Sequence, residues 1–339
     1  MTLLNKMMNF EALNHEEMGA FIATLLSETT PLEDKVALLV AYTMKGETSD
    51  ELYALCESLI HTMYPEQPQY LGSMCVCGTG GDGSNSFNIS TTVSFVAASG
   101  GIEVVKHGNK SVTSQSGGMD ILQAMGIATT PVQSVVQQLK DTHLAFVSAT
   151  ESYPVMKNMQ PVRVKVGRPT ILNLVGPIIN PFALDYQSMG VFDPTRMIKI
   201  AEVLQRLGRK RAIVIHGANG MDEATLSGDN QIVEMDQRIG IREYTVNAAD
   251  YGLRYAPDEA LRGGTPEENK EITLNILNGT DQSVRRDVVL LNAGLAFYTA
   301  EIVDTIEAGI AHAVSCIDSG AAFKQYEQAG GVVSYDDFR

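Results

Sequence analysis

The chain has no tryptophan among its 339 residues, four cysteines, and 25 Lys plus Arg against 40 Asp plus Glu. Each scarcity bounds what the protein can be. The cysteines (Cys56, Cys75, Cys77, Cys316) are too few and too scattered for a disulfide framework. Cys75 and Cys77 fall on one face of a strand, so a buried core pair is expected in preference to a metal clip. A formal charge of −15 opposes a nucleic-acid surface, which needs a basic patch against phosphates. No apolar run approaches the roughly 20 residues of a membrane span. The opening Met-Thr-Leu-Leu-Asn-Lys lacks the basic and apolar regions of a signal peptide, so a cytoplasmic protein is expected. The missing tryptophan by itself decides nothing.

What is present is enough for a large core: 44% of residues are hydrophobic, which is ordinary for a globular protein. The first 66 residues read as helices. Asn14 with Glu17 makes a capping box, Thr30-Pro31 with Glu33 opens a second helix closed by Gly46, and Ser49 caps a third that runs to Met63. Pro65 and Pro68 mark a break. From about residue 73 to 339 the period changes to short strands alternating with helices: strands at about 74–77, 102–106, 144–148 and 211–216, an edge hairpin over 232–246, and long helices near the end. Residues 154–200 are richer in Pro and Gly, with helical stretches between. A βαβ series implies a mainly parallel sheet, and ligands of such sheets bind beyond the carboxyl ends of the strands. The loops 78–89, 107–117 and 216–223 each follow a strand, so all three face one crevice.

Gly78-Thr-Gly80-Gly-Asp-Gly83 formally satisfies the dinucleotide fingerprint, but three details oppose it. Asp82 would repel a pyrophosphate unless a cation or a ribose hydroxyl meets it. A polar loop follows Gly83 where a helix is wanted. Glu103, the only acid near the required spacing, lies at the start of its strand. Ser84 also stands where a P-loop needs lysine. A sugar-phosphate cradle fits better, with Asn88-Ile-Ser90-Thr91 at the positive end of a helix dipole. Simple N-capping by Ser90 or Thr91 is the competing reading of that segment. Lys106, at a strand end, suits a phosphate point charge. Asp222-Glu223 is either an acidic helix N-terminus or, opposite a phosphate cradle, a Mg²⁺ site.

Taken together, Gly78-Thr-Gly-Gly-Asp82, Asn88-Ile-Ser-Thr91, Lys106-His-Gly-Asn109-Lys-Ser111, Asn173-Leu-Val-Gly-Pro177 with Asn180-Pro181, Asp222-Glu223 and Lys45-Gly-Glu-Thr48 resemble the anthranilate phosphoribosyltransferase family in order and spacing. The resemblance implies an α/β fold: a small helical domain (1–66, with contributions from 154–185) hinged to a large α/β domain (73–339). It implies a homodimer, Mg²⁺, and transfer of phosphoribosyl from phosphoribosyl pyrophosphate to anthranilate. By position, Gly78, Gly81, Asp82, Ser86, Asn88, Ile89, Ser90, Thr91, Lys106, His107, Gly108, Asn109, Lys110, Ser111, Val112, Thr113, Ser114 and Gly118 would hold the donor. Ser90, Asp222 and Glu223 would bind metal, with Lys106, Asp222 and Glu223 central to the chemistry. Gly78, Asn109 and Arg163 would contact anthranilate. The chain departs from the family pattern at Lys110 (usually Arg), Gly118 (commonly Ser), Tyr153-Pro154 (usually His-Pro) and Gly167-Arg-Pro-Thr170. The alternatives are a pyrimidine-nucleoside phosphorylase and a non-catalytic nucleic-acid-binding relative of the same fold.

Overall fold

A computed structural model describes residues 2–109, 116–168 and 170–331. The chain begins with α1 (Leu3–Met8), α2 (His15–Leu26), α3 (Leu32–Lys45) and α4 (Ser49–Met63). The capping box at Asn14 and Glu17 forms on both sides, each bond at 2.9 Å. Two other caps lie one residue from their expected places. Pro31 rather than Thr30 is the N-cap of α3, and it has no side-chain oxygen to offer. Thr48 rather than Ser49 caps α4, in a second capping box with Glu51. That box gives the Lys45-Gly-Glu-Thr48 segment a physical role. The buried Glu51 carboxylate takes Lys45 Nζ at 2.7 Å, Thr48 N at 2.8 Å and Leu13 N at 2.8 Å. One side chain thus joins α3, α4 and the connection before α2.

The rest alternates: β1 (Ser73–Gly78), α5 (Ile89–Ser99), β2 (Glu103–Gly108), α6 (Gly118–Ala124), α7 (Val135–Thr142), β3 (Leu144–Ser148), the single turn α8 (Ala149–Ser152), α9 (Gln160–Val166) and α10 (Ile171–Ile178). It continues with β4 (Tyr186–Gly190), α11 (Met197–Arg206), β5 (Arg211–His216), β6 (Asp229–Asp236), β7 (Gly240–Asn247), α12 (Pro266–Leu277), α13 (Val284–Thr299), α14 (Ile306–Asp318) and α15 (Ala321–Gln328). Among the described residues the strands form one seven-stranded sheet in the order β3-β2-β1-β4-β5-β6-β7. The first five strands in that order run parallel; β6 and β7 form the antiparallel edge hairpin. β2 continues to Gly108, so Lys106 belongs to the body of its strand and not to the end.

β4 is the element that the sequence hides. It lies between β1 and β5, yet reads Tyr-Gln-Ser-Met-Gly with no apolar run. Its buried polar groups are satisfied from within. Gln187 Nε2 donates to the Pro177 carbonyl at 2.9 Å, and Gln187 Oε1 accepts from Arg209 Nε at 3.1 Å.

Both faces of the sheet are covered, and side chains alternate between two cores. Met74, Val76, Val104, Phe146, Ile213 and Ile215 point into the core beneath α5, α13 and α14. Cys75, Cys77, Val105, Val147, Ala212 and Val214 point the other way, into a core continuous with that of α2, α3 and α4. The cysteine pair is therefore buried on one strand face. The shared second core fixes the helical segment against the sheet, while the strand ends stay open to loops.

Breaking a buried ion pair by removing one partner strands the other charge. Glu51→Ala is expected to lower unfolding stability by about 3–5 kcal/mol in urea titrations, with Glu51→Gln costing less.

Candidate active site

The loops after β1 and β5 meet around two adjacent carboxylates, and Lys106 of β2 reaches the same place. Asp222 is buried and lies over the ends of β1 and β4. Its Oδ2 accepts from Gly80 N at 2.6 Å. A Cβ placed on Gly78 would lie 2.3 Å from Asp222 Oδ2, and one on Gly190 would lie 1.4 Å from the Asp222 carbonyl oxygen. Only glycine permits that approach. The loop itself curls through Gly80, Gly81 and Gly83, all at positive φ. Asp82 closes it, accepting from Ser84 N at 3.1 Å and, with its other oxygen, from Asp222 N at 3.4 Å. Asp82 is thus a third carboxylate at the acidic centre, which accounts for its presence in an anion cradle. Ser86 lies further along, in a backbone bridge with Arg262.

Asp222 and Glu223 do not begin a helix, so helix-dipole placement does not explain them. Burial, then the neighbouring Asp82, pushes the Asp222 carboxyl up to about 7. Burial, then Asp222 and Asp82, pushes Glu223 well above the ordinary carboxylate range. Such a pair is unfavourable as two anions unless a cation joins it. Among the described residues no three His, Cys, Asp or Glu side chains converge as a metal-ion ligand set. Two carboxylates with a hydroxyl suit Mg²⁺, which takes few protein ligands and completes its shell with water and phosphate oxygens.

Lys106 provides the opposite charge. It is 4% exposed, and its Nζ donates to the Val76 carbonyl at 2.8 Å and to Ser90 Oγ at 3.0 Å. Two of its three N–H donors are therefore used within the described residues. Burial lowers its pKa; the Cys75 and Cys77 thiols and the two carboxylates act against that shift.

The start of α5 differs from the sequence expectation in one respect. Neither Ser90 nor Thr91 caps it; Asn88 is the N-cap and makes no side-chain cap bond. The Glu223 carboxylate lies against the Ser90 backbone at this turn. Ile89 and Thr91 are buried in the first turn, and Gly118 lies where a Cβ would be 3.5 Å from Thr91 Oγ1. Of the donor-side candidates, Asp82, Ser90 and Lys106 thus lie about Asp222 and Glu223. Lys110, Ser111, Val112, Thr113 and Ser114 lie outside the described residues.

The acceptor-side candidates occupy a second sector. His107 is buried, its ring donating to the Gly176 carbonyl, and burial lowers its pKa to about 4. It is therefore a neutral imidazole whose Nε2 has no partner among the described residues. Its ring meets Tyr153 edge-on at 5.8 Å. Gly108 ends β2, and the Asn109 side-chain oxygen accepts from Thr150 Oγ1 at 2.9 Å. Thr150 had no sequence signal. Arg163, on α9, is partly buried and makes no hydrogen bond or ion pair through its side chain among the described residues; burial lowers its pKa. An unpaired, half-desolvated guanidinium is a place for a carboxylate.

A family model described as glycosyl transferase family, a/b domain, matches residues 72–323, and one described as glycosyl transferase family, helical bundle domain, matches residues 1–63. An anthranilate phosphoribosyltransferase of Staphylococcus aureus (strain JH9) is 57% identical over 331 residues, covering 98% of this chain and 100% of that protein. The chain belongs to the anthranilate phosphoribosyltransferase family. It is an enzyme of the glycosyltransferase class. The anthranilate phosphoribosyltransferase crystal structure from Thermus thermophilus matches at 34% identity with a TM-score of 0.88, over 97% of this chain and 98% of that one. The Saccharomyces cerevisiae anthranilate phosphoribosyltransferase in complex with PRPP and Mg shares the fold at 22% identity and a TM-score of 0.83, over 93% and 90% of the two chains.

Against the anthranilate phosphoribosyltransferase pattern, two departures of this chain are visible. Tyr153 is buried beside His107 with its hydroxyl unpartnered among the described residues. Gly118 leaves Thr91 and Lys106 without a third hydroxyl neighbour at that position.

Gly78→Ala would push Asp222 off the strand ends. A displacement of about 1 Å at a reacting centre costs on the order of 100-fold, so kcat/KM is expected to fall by about that factor in initial-rate assays.

Proposed function

We propose that the chain transfers the 5-phosphoribosyl group of phosphoribosyl pyrophosphate to the amine of anthranilate. The products are N-(5-phosphoribosyl)anthranilate and pyrophosphate, a step of tryptophan biosynthesis. The observation that carries this reading is the buried Lys106 ammonium, bonded to Ser90 and flanked by Glu223 and Asp222, together with an Arg163 side chain that has no partner among the described residues.

In this reading Gly78, Gly81, Asp82, Ser86, Asn88 to Thr91, Lys106 to Ser114 and Gly118 line the donor. Asp222, Glu223 and the Ser90 hydroxyl would hold Mg²⁺. Bound there, the ion supplies positive charge against the phosphate oxygens of the donor. The remaining N–H of Lys106 adds a point charge on the same side and stabilises pyrophosphate as it departs. The ribose C1–oxygen bond breaks with oxocarbenium character while the amine nitrogen bonds to C1 and one amine proton is released. An aromatic amine is neutral at physiological pH, so no general base is required before attack. Arg163 pairs the acceptor carboxylate, and Asn109 and Gly78 place the ring. His107, neutral and held by Gly176, positions the acceptor.

The same reading includes a homodimer in the cytoplasm. Met8, Phe10, Leu32, Val40 and Met44 expose apolar side chains on α1, the turn after it and α3, a surface suited to a second copy. Among the described residues no helix is long and apolar enough to cross a membrane.

The test is to mix protein, phosphoribosyl pyrophosphate, Mg²⁺ and anthranilate and follow anthranilate fluorescence. Loss of signal that requires all three additions supports the reading. Phosphorolysis of uridine or thymidine without that loss moves it to the phosphorylase alternative. Arg163→Ala removes a charge-assisted contact worth about 1.5–3 kcal/mol, so the anthranilate KM is expected to rise about 10- to 100-fold in initial rates while the donor KM stays close to wild type.

A further inference from the structure

α12 stands behind the donor loop and touches it through one polar face. Asn269 and Thr273, one turn apart on α12, face Asn88, the N-cap of α5, and Thr92 in its first turn. Asn269 Nδ2 donates to Asn88 Oδ1 at 2.9 Å, and the Thr273 and Thr92 hydroxyls meet at 2.8 Å. Asn269 is 1% exposed, and Thr92 and Thr273 are fully buried. The turn leading into α12 runs along the donor loop by backbone bonds: Phe87 N to the Leu261 carbonyl at 3.0 Å and Gly263 N to the Asn85 carbonyl at 2.9 Å. Asn269 Oδ1 closes that turn by accepting from Gly264 N at 2.9 Å.

A buried polar pair between helices can be replaced by apolar groups of the same shape with little change in stability, so stability alone does not call for this one. Its consequence lies in the Asn88 amide. Asn88 Oδ1 accepts from both Asn269 Nδ2 and Ser116 Oγ (3.2 Å), while Asn88 Nδ2 donates to the Ser116 carbonyl at 3.1 Å. The oxygen is committed to two donors. The second Nδ2 hydrogen has no partner among the described residues. An amide can turn over and exchange its oxygen for its nitrogen, and only the surrounding donors and acceptors fix which end faces out. The Ser116 carbonyl can only accept, so it also favours the observed orientation. Asn269 serves only that one: its own amide is set by the Gly264 N–H, so it presents only N–H to Asn88.

We propose that Asn269 is a positioning residue of the donor site, locking the Asn88 amide so that its N–H, and not its oxygen, is offered to an anionic donor. The proposal rests on the functional reading above and goes beyond it, since Asn269 has no part in the sequence motifs.

Asn269→Asp separates the lock from packing. It is isosteric and keeps the oxygen that accepts from Gly264 N, but at about pH 8 the carboxylate has no proton to give Asn88. A charged acceptor outweighs the neutral Ser116 carbonyl, so Asn88 turns its Nδ2 toward the carboxylate and its oxygen toward the donor. A packing role would be disturbed least by this change; the lock is disturbed most. Calorimetric titration of phosphoribosyl pyrophosphate with Mg²⁺ is expected to show donor affinity weakened about tenfold or more in Asn269→Asp, from loss of a hydrogen bond to a charged group. Asn269→Ala frees the amide without reversing it and is expected to weaken the donor by a smaller factor. The anthranilate KM should stay within about threefold of wild type in both, well under the tenfold that about 1.4 kcal/mol represents. Unchanged donor affinity in either folded variant overturns the proposal, as does an equal loss on donor and acceptor. Loss of the thermal unfolding transition in both variants assigns Asn269 a structural role and overturns it as well. A wild-type chain that binds no phosphoribosyl pyrophosphate contradicts the functional reading instead.

Discussion

The close approach of Asp222 to the ends of β1 and β4 organises the rest of the site. Glycine at 78 and 190 lets the Asp222 main chain and carboxylate press against the strand ends, and Gly80 N–H holds the carboxylate there. That contact sets the position of Glu223, which reaches the first turn of α5. Ser90, at that turn, accepts from Lys106, whose stem rises from the middle of β2. Asp222 and Glu223 then flank one buried ammonium, and Asp82 lies beside Asp222 at the loop. The excess negative charge is costly in isolation and becomes favourable with a divalent cation carrying phosphate oxygens. In the proposed reading this is how an acidic chain receives an anionic substrate: the cation arrives with it.

The two halves of the site rest on different supports. The proposed donor half is carried by strand ends and by α5, α12 and their polar contacts, all anchored in the core beneath α5 and α13. The acceptor half draws on α9 and α10, which pack into the second core together with α2, α3 and α4. Arg163 therefore belongs mechanically to the helical side, and Lys106 to the sheet. In the proposed reading, motion of the helical segment relative to the sheet would change the distance between acceptor carboxylate and donor phosphates.

The proposed donor half stands out in the sequence because its runs of Gly, Ser, Thr and Asn suit an anion cradle. The alternation of Cys75 and Cys77 with Met74 and Val76 was legible for the same kind of reason, a strict period of two. β4 was not, since a strand buried by hydrogen-bonded Gln187 and Ser188 carries no hydrophobic signature. Gly190 was missed with it, and so was the reason for Gly78. The nature of the Asp222-Glu223 pair could not be decided from neighbours in sequence, because its partners come from loops about 140 residues away. Asn269 and Thr150 act on side chains that are themselves remote in sequence, by 181 and 41 residues, and no local pattern marks either.

If the acidic centre exists to receive a cation together with an anionic donor, donor binding must depend on both the cation and the carboxylates. The direct measurement is a calorimetric titration of phosphoribosyl pyrophosphate into the protein, with Mg²⁺ present and with divalent cations chelated. Binding is expected to be lost on chelation, and lost equally with Mg²⁺ present in the Asp222→Asn, Glu223→Gln double variant. Undiminished binding after chelation, or in the double variant, would mean that the carboxylates do not serve a cation.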